Sequence, residues 1–98
     1  METLDMDIQT FSDVFDAICD TPSEAANMKA RSDLLSILTE RVNGWALPQD
    51  KAAARLGITR PRLNDLLRGK ISKFSLDALV NLATAAGLVL ELRASEAA

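Results

Sequence analysis

Gln49-Asp50-Lys51-Ala52-Ala53-Ala54-Arg55-Leu56-Gly57-Ile58-Thr59-Arg60-Pro61-Arg62-Leu63-Asn64-Asp65-Leu66 is the stretch on which the reading of this 98-residue chain turns. Pro48 opens a short helix from Gln49 to Leu56, and Gly57 ends it with the residue type that takes a left-handed backbone without steric cost. Thr59 then offers a hydroxyl cap to a second helix over 59–68, and Pro61 is tolerated in its first turn because no intrahelical donor is lost there. Ala53 is small where the two helices would cross, while Ile58, Leu63 and Leu66 are apolar where the second must pack on the first. Two short helices about a tight glycine turn, with the second basic, are the features of a helix-turn-helix. The competing reading is a generic helical hairpin with small residues at its crossing. Four positional constraints met within eighteen residues favour the helix-turn-helix.

Working outward, Thr21-Pro22-Ser23-Glu24 is a capping box with proline at the first helical position. It predicts a long helix to about Asn43, with Met28, Leu35, Leu38 and Val42 on its buried face and Gly44 as its left-handed stop. Further upstream, Phe11, Val14, Phe15 and Ile18 have helical spacing behind Ser12, so 12–19 reads as a short amphipathic helix after a frayed tail at 1–10. On the other side, Gly69 ends the second helix of the motif. Ser75 caps a last helix with a buried stripe of Leu76, Leu79, Val80 and Ala83, and Gly87 closes it. Leu88-Val89-Leu90-Glu91-Leu92-Arg93 sets three leucines on one side of an extended segment and reads as a strand. One strand cannot stand alone, and nothing else in the chain resembles a partner, so it is expected to pair with itself across a homodimer. The division that follows is an acidic N-terminal leader with a short helix at 1–20, then a helix-turn-helix DNA-binding domain with a C-terminal dimerisation segment at 21–98.

Composition narrows the classes. Apolar residues make up 48% of the chain, and aromatics are limited to Phe11, Phe15, Trp45 and Phe74, a balance that favours helix over strand. Cys19 is the sole cysteine, which excludes an intrachain disulfide and a CxxC metal pair; its simplest role is a small apolar residue beside Ile18. With no histidine, no metal-ligand cluster and no phosphate-cradling glycine loop, the chain is not expected to be an enzyme or to bind a cofactor or metal. The opening Met-Glu-Thr-Leu-Asp lacks the basic and apolar regions of a signal peptide, and no run approaches the roughly 18 apolar residues of a membrane span. A cytoplasmic location is expected.

The net charge of −3 conceals a strong asymmetry. Residues 1–24 hold seven acids and no base, whereas residues 51–73 hold seven bases against the single acid Asp65. Such a chain offers two electrostatically different surfaces. In a helix-turn-helix the N-terminal turn of the second helix meets base edges in the major groove. Arg60 is placed for a bidentate contact to guanine, worth about 1–3 kcal/mol of discrimination, and Asn64, one turn on, can address adenine. Thr59 and Arg62 belong to the same surface, Arg62 with a base or a phosphate. Gln49 stands at a helix N-terminus suited to a phosphate, and Arg68, Lys70 and Lys73 flank the far end and are expected on the DNA backbone. The alternative is that these bases merely solvate a helix face.

The run from Gln49 to Leu82, with Gly57-Ile58-Thr59, Pro61-Arg62, Leu67-Arg68-Gly69-Lys70 and Phe74-Ser75-Leu76-Asp77, resembles the Xre/HigA-type antitoxins of type II toxin–antitoxin modules. The Ser12-Asp13-Val14-Phe15 stretch and the long helix after it are similar to that family's leader, so the resemblance covers about 80 of the 98 residues. It implies an all-α, lambda-repressor-like bundle of about five helices with a short C-terminal strand paired across a dimer. It further implies a homodimer that represses its own promoter operator and binds a cognate small basic toxin, a RelE/HigB-like mRNA-cleaving ribonuclease. Thr59, Arg60, Arg62 and Asn64 take the recognition role by this resemblance, and Phe74 and Leu76 the packing of the last helix. Two positions depart from the family. Pro48 replaces a common hydroxyl cap, removing a phosphate contact, and Arg60 replaces a common glutamine, so the operator does not transfer. The acidic leader would complement a basic ribonuclease; the alternatives are a solubilising tail on a stand-alone or phage-type repressor without a toxin, and a protein-binding module without DNA affinity.

Overall fold

The computed structural model describes residues 21–96, and the predicted helix at 12–19 lies outside them. Four α-helices follow one another: α1 (Pro22–Gly44), α2 (Gln49–Leu56), α3 (Arg60–Leu67) and α4 (Leu76–Ala85), with a single 3₁₀ turn at Ile71–Lys73 between the last two. The fold of the described residues is therefore all-helical. Each start has a local cause. The Thr21 hydroxyl accepts the Glu24 N–H, the Thr59 hydroxyl accepts that of Arg62, and the Ser75 hydroxyl accepts that of Ala78, so three helices begin on a side-chain cap. Pro48 gives α2 no such bond.

The α2–α3 turn follows from one residue. Gly57 takes φ +74°, which lets the Ile58 N–H reach back to the Ala53 carbonyl at 3.0 Å and the Gly57 N–H to Ala54 at 3.1 Å. This double bond pattern closes the helix and aims the chain directly into the Thr59 cap. Ala52 and Ala53 are buried at the crossing, and α3 returns Leu63 and Leu66 into the same core, both fully buried. Beneath them α1 supplies Met28, Leu34, Leu35, Leu38 and Val42, and α4 supplies Leu79, Leu82 and Ala83. Phe74, 1% exposed, fills the corner between the 3₁₀ turn and α4. Each fully buried leucine or phenylalanine contributes about 1.5–3 kcal/mol of transfer free energy, which holds short helices together that would not form alone.

Three expectations need correction. Gly44 does not stop α1 in a left-handed conformation: the helix runs through it to an αR cap at Trp45, and the positive φ falls on Ala46 at 55°. Trp45 packs on the core, and its N–H closes a tightened last turn on the Val42 carbonyl, which delays the reversal. Val80 is not in the buried stripe of α4. It is 38% exposed because Leu79, Leu82, Ala83 and Ala86 set the 3.6-residue period and Val80 lies about 100° from Leu79. Leu88–Arg93 forms no strand: among the described residues no ladder partner meets it, and a lone extended segment has no second row of backbone groups to bond. About five helices were expected; the described residues hold four and the 3₁₀ turn.

Candidate nucleic-acid interface

Helix α3 divides into two faces. Leu63 and Leu66 point into the core, so residues half a turn away are outward. Arg60, Asn64 and Arg68 recur every four residues and form one stripe along that outer flank, with both arginines exposed and Asn64 half-buried. None of the three side chains engages a hydrogen bond or ion pair among the described residues. Their donors, with the Asn64 carbonyl oxygen, are the groups able to read guanine and adenine edges.

The other predicted residues are engaged within the protein. The Arg62 guanidinium stacks 4.3 Å from the centre of the Phe74 ring and donates to the Lys73 carbonyl at 3.4 Å. Thr59 accepts the Arg62 N–H, leaving its hydroxyl hydrogen available to an acceptor. Lys70 and Lys73 both turn towards Asp65, at 3.5 and 3.8 Å, so the one acid of the basic segment sits between two of its cations. Gln49 is half-buried at the start of α2, where it lines a small cavity of about 150 Å³ with Val42, Leu47, Leu63 and Leu67. Thus the eight sequence-derived residues do not form one uniform patch. Arg60, Asn64 and Arg68 make a free stripe. Arg62, Lys70 and Lys73, grouped around Asp65 and Phe74, form a bonded bank beside it.

Two further cations shape this surface without having been singled out. Arg31 of α1 donates to the carbonyls of Ile71 and Phe74, at 3.4 and 3.3 Å, and fastens the 3₁₀ turn to the long helix. Its signal was legible: Arg31 lies three residues after Met28 and four before Leu35, a charge placed on an apolar stripe. Arg55 stacks 4.1 Å from the Trp45 ring centre, covering the α1–α2 link. Sequence spacing held no signal for that contact, which depends on how α1 ends.

No helix among the described residues is long and apolar enough to cross a membrane. Residues 17–95 match a protein family described as a helix-turn-helix domain. Among curated proteins no relative matches the chain.

Proposed function

The chain belongs to the helix-turn-helix domain family, and from that premise we propose that it is a sequence-specific DNA-binding regulator, the antitoxin of a type II toxin–antitoxin pair. In this reading a cytoplasmic homodimer occupies the operator of its own promoter and also neutralises a small basic ribonuclease. The observation that carries the DNA half is the unengaged Arg60–Asn64–Arg68 stripe on a helix whose opposite face is fully buried. A rigid helix with free bidentate donors on one side is what major-groove reading requires. Arg60 and Asn64 read bases. Arg68, with Lys70 and Lys73, meets phosphates, and Thr59 and Gln49 add contacts at the two helix starts. Arg62 acts by holding the 3₁₀ turn through Phe74 and the Lys73 carbonyl.

The toxin half is supported by the resemblance and by the seven acids against no base over residues 1–24, which complement a basic partner. Binding to the protein's own promoter DNA across a salt series, paired with protection of cells expressing the adjacent reading frame, tests both halves. Steep loss of affinity with salt and rescue by the full chain are expected. Removal of residues 1–20 is expected to weaken rescue while leaving operator binding, because the Thr21 cap of α1 survives the cut. Operator binding without rescue would leave a stand-alone repressor.

A further inference from the structure

We propose that Asp65 is a specificity-determining residue: an internal counter-anion that keeps Lys70 and Lys73 off phosphates until base reading by α3 has brought DNA into register. This rests on the DNA half of the proposed function and is independent of the toxin. Across residues 51–73 Asp65 is the sole acid, set against seven bases, so it stands where a DNA-binding surface would repel its ligand. Helical phase defines its place. Asp65 comes three residues after Arg62 and three before Arg68, about 60° round the helix from each, and so between the bonded bank and the free stripe.

The carboxylate is divided between the two lysines. Oδ1 lies 3.5 Å from the Lys70 ammonium and Oδ2 3.8 Å from that of Lys73, while the Lys70 N–H bonds the Asp65 carbonyl at 3.0 Å. The backbone bond fixes where the Lys70 stem starts; the side-chain contacts do not fix where either ammonium ends. Both separations exceed the roughly 2.7–2.9 Å of a hydrogen-bonded charged pair. The side chains of Lys70 and Lys73 are 43% and 55% exposed, against 22% for Asp65. The acid is the sheltered, short partner, and the lysines are the exposed, long-stemmed ones able to leave it. Loose pairs of this kind exchange partners at small cost.

The consequence differs between two kinds of DNA. At the operator, contacts from Arg60 and Asn64 to base edges fix α3 against the duplex, and phosphates are held beside the loop after α3, where the lysines trade the carboxylate for them. On other sequences no base contact holds α3, and affinity comes from phosphates alone. There a lysine that already has a partner inside the protein gains less from a passing phosphate. Asp65 therefore weakens non-operator binding more than operator binding, and it does so through the lysines.

The test is D65N in the full chain, with D65A as a second form. Affinity is measured for the promoter duplex and for a scrambled duplex of equal length, each across a salt series and scored per folded molecule from melting curves of the same samples. Affinity for the scrambled duplex is expected to rise about tenfold and that for the promoter about threefold or less, with the salt slope on the scrambled duplex steeper by about one to two contacts. In a K70A/K73A background the gain on the scrambled duplex should fall below about twofold. Equal gains on both duplexes, no gain on either, or a full gain without the two lysines would overturn the proposal; the last would make Asp65 a plain repulsive charge. An unsubstituted chain with no preference for its promoter fails earlier, at the DNA reading itself, so the two failures are distinguishable.

Discussion

Within a fourteen-residue span, Arg60 to Lys73, the same residue types do two different things. Arg60 and Arg68 stand unengaged on the outer flank of α3, whereas Arg62, two residues from Arg60, lies against Phe74 and bonds the Lys73 carbonyl. Lys70 and Lys73 gather on Asp65. The difference teaches that a cluster of positive charge is not one site. Helical phase decides it: residues 60, 64 and 68 advance by only about 40° from one to the next and share one flank, while residue 62 is rotated about 200° from 60, towards the flank where Phe74 lies. The free stripe is suited to reading sequence. The bonded bank is suited to holding the turn and presenting lysines at fixed positions.

The largest effect should come from removing the anchor of the bonded bank. Phe74→Ala deletes a buried ring and the platform for Arg62, and is expected to cost about 3–5 kcal/mol in a denaturant titration, enough to unfold a marginal domain of this size. Arg60→Ala should leave stability within about 0.5 kcal/mol but weaken operator binding by about 1–3 kcal/mol and relax selectivity at one base pair. If R60A lowers the melting temperature instead, the stripe is structural and the contrast fails.

Arg62→Ala sharpens the comparison from the other side. It should cost about 1 kcal/mol of stability, with Arg62→Lys a poor rescue because an ammonium loses the planar stacking and the fork. Any loss of DNA affinity should be uniform across sequences, measured on operator variants; a change of preferred base would make Arg62 a reader. The smallest effect is expected for Lys73→Ala. Stability should hardly move, since its pair with Asp65 is long, at 3.8 Å, and the Lys73 end is exposed, while the slope of affinity against salt should fall by about one contact.

Much of this protein was legible in its residues. The starts at Thr21, Thr59 and Ser75 and the reversal at Gly57 lie where the sequence puts them, because a cap or a left-handed turn is decided by atoms within five residues of one another. The end of α1 was not, since a positive φ on Ala46 in place of Gly44 depends on Trp45 finding the core and Arg55 covering it. Nor was the 3₁₀ turn at Ile71–Lys73, which Arg31 holds from forty residues away in the chain.

Sequence by itself therefore determined the starts of the four described helices, the crossing of α2 and α3 through Ala53 and Gly57, and which helix carries the bases, since all of these rest on local hydrogen bonds and a short-period apolar pattern. Tertiary structure alone decided which of those bases remain available. Whether an arginine faces solvent or a phenylalanine ring is set by the corner where the 3₁₀ turn meets α3 and α4, and that corner exists only after the core has closed around Phe74.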